Sequence, residues 1–219
     1  MKIGILPGSF NPVHVGHLAL ANYLAEYEGF DQIWFLISPQ NPLKSKTELM
    51  DQNFRLKLLK DAVKGYDKFV VSTIEFELPR PSYTINTLQK LRLERPNDQI
   101  ELIIGSDSWS TFHRWKDYQT ILKNFKIRVY PRRGSDKITF RHPNLHIVKG
   151  APKIEISATF IRESISKEKD VRFYMPHGLF DKVVKSGYIP LKGEEEEPEE
   201  VKTDSIDMMD LTLPDISLD

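Results

Sequence analysis

"KIGILPGSFNPVHVGHLALANYLAEYEGFDQIWFLI" spans residues 2–37. It passes from an apolar run, "KIGIL" (2–6), through a polar turn to "HLALANYLAEYE" (17–28), whose apolar residues recur at helical spacing, and then to a second apolar run, "QIWFLI" (32–37). Continuously apolar, β-branched runs suit strands covered on both faces, and a helix between two such strands is the repeating unit of a parallel sheet. The alternation continues outward. "KFVVST" (68–73), "QIELIIG" (99–105), "KIRVYP" (126–131) and "LHIVKG" (145–150) read as further strands. "QNFRLKLLKDAV" (52–63) and "TINTLQKLRLER" (84–95) read as helices between them. "SATFIRESIS" (157–166) and "GLFDKVVKSG" (178–187) read as two closing helices, the second ended by Gly187. The sequence therefore predicts an α/β fold, doubly wound around a mostly parallel sheet with helices on both faces.

The 219 residues suit one medium domain, 1–192, and a tail, 193–219. The absence of cysteine removes disulfides, thiolate catalysis and cysteine-bound metals together. No signal peptide and no run of roughly 18 apolar residues is visible, so the chain reads as soluble and cytoplasmic. Its net charge of zero hides a division. The tail carries eleven acidic residues against Lys202 alone, which leaves 30 bases and 20 acids in the first 192 residues. A basic body suits an anionic ligand, nucleotide or nucleic acid. "GEEEEPEEVKTDS" (193–205) lacks an apolar stripe and reads as disordered. "IDMMDLTLPDISLD" (206–219) reads either as a partner-binding segment or as a solvated terminus. Oligomeric state, homo-oligomer included, is left open.

Within the opening stretch, "GSFNPVHVGH" (8–17) lies between the first strand and the first helix, where open parallel sheets bind ligands. Gly8 allows close approach of the backbone, Ser9 offers a hydroxyl, and the helix start favours phosphate. His14 and His17, three apart, can project to one side of that helix. They fit three roles: metal ligands, although no third ligand is nearby; surface or capping histidines; or donors to a polyphosphate whose charge grows in a transition state. There is no G-x-x-x-x-G-K-[ST], and no G-x-G-x-x-G after the first strand, so P-loop and dehydrogenase-type nucleotide binding are excluded. A nucleic-acid module would interleave Arg and Lys with aromatics; only "FKIRVYPRRGSDKITFRH" (125–142) does, so nucleic acid is disfavoured as a partner.

"GSFNPVHVGH" resembles the [T/S]-x-x-H and H-x-G-H signature of the nucleotidyltransferase superfamily related to the class I aminoacyl-tRNA synthetases, and "ISATFIRESI" (156–165) resembles its second ATP motif, I-S-[S/A]-T-x-I-R. Three more stretches are similar to one branch, the bacterial nicotinate-nucleotide adenylyltransferases. They are "PSYTINTL" (81–88), "IIGSDSWSTFHRW" (103–115) and "PQNPLKSK" (39–46). The resemblance runs from Met1 to about Lys192 and implies a Rossmann-like domain. It implies adenylyl transfer from ATP to nicotinic acid mononucleotide, giving nicotinic acid adenine dinucleotide and pyrophosphate, with Mg²⁺ carried mainly on the ATP phosphates and no metal held by the protein alone. His14, His17, Lys44 and Arg162 are then the catalytic charge donors.

By the same resemblance, ATP is expected at Gly8, Ser9, Phe10, His14, His17, Gly105, Asp107, Ile156, Ser157, Thr159 and Arg162. The mononucleotide is expected at Lys44, Tyr83, Thr84, Trp115 and the backbone of Thr111 and Phe112, its pyridine ring on the Trp115 indole. Arg133, in "YPRRG", is a further phosphate candidate. Without the resemblance, Trp115 reads as an edge aromatic, and Thr84 and Asp107 as helix N-caps. The chain departs from the family at Ser9 and Asn11, where Thr and Asp are common, and at Asn41-Pro42-Leu43-Lys44 in place of P-P-H-K. The competing readings are a related adenylyltransferase acting on nicotinamide mononucleotide or pantetheine phosphate, and a nucleic-acid-binding module.

Overall fold

The computed structural model describes residues 1–39, 49–132 and 142–189. Lys44, Arg133 and the acidic tail lie outside the described residues. Six strands form one sheet: β1 (Lys2–Gly8), β2 (Gln32–Ile37), β3 (Phe69–Ser72), β4 (Gln99–Gly105), β5 (Lys126–Tyr130) and β6 (Leu145–Ile147). Their order is β3-β2-β1-β4-β5-β6, and every neighbouring pair is parallel. Seven helices accompany them: α1 (Val15–Tyr27), α2 (Gln52–Val63), α3 (Thr84–Glu94), α4 (Ser106–Ser110), α5 (Tyr118–Asn124), α6 (Ala158–Ser166) and α7 (Leu179–Lys185). Among the described residues, no helix is long and apolar enough to cross a membrane.

The continuous apolar runs of the inner strands β1, β2 and β4 are buried on both faces, as expected, whereas the edge strands β3 and β6 are only partly covered. Ile33, Phe35 and Ile37 of β2 pack with residues of α1, α2, α6 and α7 in one core. Leu36 turns the other way and joins Ile3 and Ile5 of β1, and Leu102 and Ile104 of β4, against α3 and α5. Alternate residues thus serve opposite cores. Gly4, in the central strand, has no space for a side chain: a Cβ there would stand 2.5 Å from Ile103 Cδ1 and 2.9 Å from Ile33 Cδ1.

Element boundaries differ from the sequence reading for local reasons. Helix α1 begins at Val15 instead of residue 17, with His14 as N-cap. Helix α4, five residues long, starts at Ser106, ahead of Asp107, the cap that the sequence suggested, and the seven-residue α5 was not predicted, since so few turns show no apolar period. β6 stops at Ile147, and the chain turns at Gly150, whose φ is 87°.

Strand order reverses between β1 and β4, which opens a cleft at their carboxyl ends. Arg55 of α2, 1% exposed, holds that rim together. Its Nε donates to the Met50 carbonyl (2.9 Å), Nη1 to the carbonyls of Ser9 (2.6 Å) and Ser38 (2.9 Å), and Nη2 to that of Pro39 (3.2 Å). One side chain therefore fixes the segments after β1, after β2 and before α2. Arg55→Met should leave these buried carbonyls without donors and lower unfolding free energy by roughly 3 kcal/mol or more, measured by urea denaturation.

Candidate active site

The cleft encloses about 720 Å³. Separate segments line it: the turn after β1, Ser38 after β2, Leu49 before α2, the stretch from Glu75 to the start of α3, the β4–α4 junction with Arg114–Lys116, Tyr130 with Arg132, and the start of α6. Gly8, Ser9, Phe10, His14, His17, Gly105, Asp107, Ile156, Ser157, Thr159 and Arg162 all face it, as do Tyr83, Thr84 and Trp115. Thr111 and Phe112 do not line it. The Phe112 ring is drawn into the core behind the wall, 5.0 Å from Trp109 and 5.4 Å from Trp115, while Ser108, Arg114 and Lys116 take wall positions.

The two histidines form one unit at the start of α1. The backbone N–H of His14 donates to His17 Nδ1 at 3.3 Å, which leaves the His17 proton on Nε2. Their rings lie 3.7 Å apart, tilted by 30°. His14 is 4% exposed, and its Nδ1 has no hydrogen-bond partner among the described residues. Burial first, and the Arg132 charge second, push its pKa down to about 4. At neutral pH His14 is therefore a neutral imidazole.

Arg162 is aimed by Nη1, which donates to the Asn11 carbonyl at 2.9 Å, and by Nη2, which donates to Thr159 Oγ1 at 3.5 Å. Ser157 caps α6, its hydroxyl accepting from the Phe160 N–H at 3.0 Å. The Asn11 side chain accepts from the Met50 N–H at 2.9 Å, so the amide that replaces the family's common Asp has a structural use. Thr84 is the first residue of α3, after the N-cap Tyr83, and so does not cap it. Asp107 is not a cap either; its carboxylate pairs with Arg132 at 3.2 Å. The Nε1 of Trp115 and the hydroxyls of Ser9 and Ser82 are buried and unpartnered within the described residues, the state of polar groups that turn toward a bound ligand.

Arg132 was missed in the sequence. Its guanidinium meets Asp107 and the Tyr130 hydroxyl (2.9 Å), and its backbone N–H donates to Ser106 Oγ at 2.7 Å. The signal was strand parity, because Arg132 follows Tyr130 by two residues and shares its side of the strand extension. Glu75, Ser82 and Lys116 were missed as well. Lys116 Nζ sits 4.8 Å from the centre of the Tyr83 ring. No group of three or more His, Asp or Glu that could cage a metal occurs among the described residues.

Residues 5–164 match the model of the cytidylyltransferase-like family. The chain is 62% identical over 190 residues to a protein of Azobacteroides pseudotrichonymphae named "Probable nicotinate-nucleotide adenylyltransferase", covering 87% of this chain and all of that one. It is 48% identical over 185 residues to a protein of the same name from Bacteroides fragilis, covering 84% and 91%. A solved structure, Plasmodium falciparum nicotinic acid mononucleotide adenylyltransferase complexed with NaAD, superposes with a TM-score of 0.72 over 85% of this chain and 97% of that one. At 19% identity that likeness shows the shared fold.

The His14 imidazole has an ordinary pKa of 6.5 and one of about 4 in the fold, so the unfolded chain takes up the proton first. Stability should thus fall by roughly 3 kcal/mol as pH drops from 6.5 to 4, with no contribution from this group above 6.5. Histidine NMR titration should find the His14 midpoint near 4, and a bound ATP analogue should raise it.

Proposed function

The chain belongs to the nicotinate-nucleotide adenylyltransferases, within the cytidylyltransferase-like family, and we infer how its cleft performs that family's reaction. The enzyme transfers the adenylyl group of ATP to nicotinic acid mononucleotide, forming nicotinic acid adenine dinucleotide and pyrophosphate in NAD biosynthesis. One observation supports the assignment of parts: a single cleft is lined by His14, His17, Arg132 and Arg162 together with Thr84 and Trp115. The first set suits a polyphosphate, the second a flat ring with a polar substituent.

A phosphate oxygen of the mononucleotide attacks the α-phosphorus of ATP. As that P–O bond forms, the bond to the bridging oxygen of the β-phosphate breaks, and pyrophosphate leaves with the electron pair. The nucleophile is already an anion, so neither a covalent intermediate nor a general base is needed. Catalysis is alignment of two polyanions plus stabilisation of charge as it shifts toward the leaving group. His17, with its proton on Nε2, and the Arg162 guanidinium supply donors; neutral His14 adds a hydrogen bond that strengthens if the arriving phosphates draw a proton onto it. Arg132 takes further phosphate charge, and Asp107 keeps it oriented. Lys44, in the loop outside the described residues, is proposed to neutralise the incoming phosphate.

Mg²⁺ fits as a companion of ATP: the cleft carboxylate Asp107 is engaged by Arg132, and Glu75 by hydroxyl groups, so the phosphates themselves are the proposed ligands. It would supply charge neutralisation. The pyridine ring is proposed to lie on Trp115, its carboxylate near Thr84 and the cations Arg114 and Lys116. That local positive charge favours an acid over an amide.

Purified protein with ATP and Mg²⁺ should release pyrophosphate far faster with nicotinic acid mononucleotide than with the amide; equal rates would contradict the proposed carboxylate pocket. His17→Ala should lower kcat ~100- to 1000-fold. Trp115→Ala should raise KM for the mononucleotide by about tenfold and spare that for ATP. Residues 1–192 are proposed as the catalytic unit, so removing 193–219 should leave both constants unchanged.

A further inference from the structure

Glu75 lies in the single-turn helix Ile74–Glu77 that follows β3, in the short sequence "TIEFELP" (73–79). It is 2% exposed, yet it borders the cleft. Among the described residues no cation balances it. Its partners are hydroxyls: Ser38 Oγ donates to Oε2 at 2.7 Å, and Thr87 Oγ1 donates to Oε1 at 3.2 Å. Ser82 Oγ is close enough to favour the ionised carboxylate, without the geometry of a hydrogen bond. Burial raises the Glu75 pKa, and these hydroxyls oppose the rise.

These partners sit on different walls. Ser38 ends β2, and its backbone N–H donates to the Gly8 carbonyl at 3.0 Å, within the turn that meets ATP. Thr87 lies one turn into α3, behind Tyr83 and Thr84, and its hydroxyl also reaches the Tyr83 carbonyl at 3.5 Å. Glu75 therefore clamps the start of α3 to the end of β2. A buried carboxyl without a countercharge costs stability, so a packed apolar residue would suit stability alone better.

We propose that Glu75 is a positioning residue for the mononucleotide: its hydrogen bonds to Ser38 and Thr87 set where Tyr83 and Thr84 stand relative to the ATP-binding turn. The proposal rests on the function argued above. Glu75 does not enter the chemistry; it acts through the segment that holds the second substrate.

The test compares Glu75→Ala, Glu75→Gln and Thr87→Val in the full chain. It reads kcat, KM for each substrate, and the calorimetric Kd for nicotinic acid mononucleotide. Glu75→Ala should weaken mononucleotide binding about tenfold while KM for ATP moves less than about threefold. Thr87→Val, the same shape without one hydroxyl, should weaken it in the same direction by a smaller factor. Glu75→Gln should restore affinity to within about threefold, because serine and threonine hydroxyls accept as readily as they donate. An unchanged Kd in Thr87→Val overturns the proposal, even if Glu75→Ala fails to fold. So does an equal loss for ATP and mononucleotide, or a glutamine variant as poor as the alanine one. If the unsubstituted chain neither binds nor uses the mononucleotide, the parent reading falls and takes this one with it. Failure confined to the variants' pattern leaves the parent reading standing.

Discussion

Four hydrogen bonds from one guanidinium hold the rim of the cleft. Among the described residues Arg55 donates to carbonyl oxygens, those of Ser9, Ser38, Pro39 and Met50. Carbonyls at the ends of parallel strands lack the next rung of the ladder, and a planar, always charged donor can serve several of them at once. The segments that receive substrate are thus tied to the α2 side of the sheet before any ligand arrives. Ser38 joins this system twice, through its carbonyl to Arg55 and through its hydroxyl to Glu75. The two buried side chains act on the same strand end without touching each other among the described contacts.

Charge in the cleft is distributed by environment more than by residue type. Burial keeps His14 neutral at physiological pH, whereas the arginines cannot give up their protons. A site made only of fixed cations would bind every polyanion alike, substrate, product and pyrophosphate. A neutral imidazole whose proton affinity rises when phosphate charge comes near adds attraction that depends on the charge present, which is what transition-state stabilisation requires. Asp107 tempers Arg132 in a similar sense, holding it oriented while lowering its free charge.

The sheet was legible because burial on both faces removes the need for polar residues, and "QIWFLI" and "QIELIIG" admit few other readings. Helix α1, α2, α3 and α6 were legible from their spacing. The site was legible where chemistry demands unusual local sequence, as in "GSFNPVHVGH", whose His14 and His17 the fold brings together. What was hidden depends on tertiary distance. Glu75 in "TIEFELP" looks like any surface acid, since nothing in sequence reveals that Ser38 and Thr87 surround it. Arg132 and Arg133 are indistinguishable in "YPRRG" unless the strand's phase is known. Phe112 was expected to offer its backbone, and only the packing of Trp109 and Trp115 around it shows that its ring faces inward.

The position of β1 has a consequence for how the chain is made. This first strand is hydrogen-bonded on both sides, with Ile3 opposite Gln32 and Lys2 opposite Gln99. Its second partner leaves the ribosome almost a hundred residues after it does, which at ordinary synthesis rates is roughly five to twenty seconds. For that interval this central strand has one open edge, and β2 with β3 can extend the sheet only away from it. The nascent chain carries an exposed pairing surface until β4 arrives, so chaperone demand should be set by the speed of translation across residues 37 to 105 more than by the stability of the finished fold.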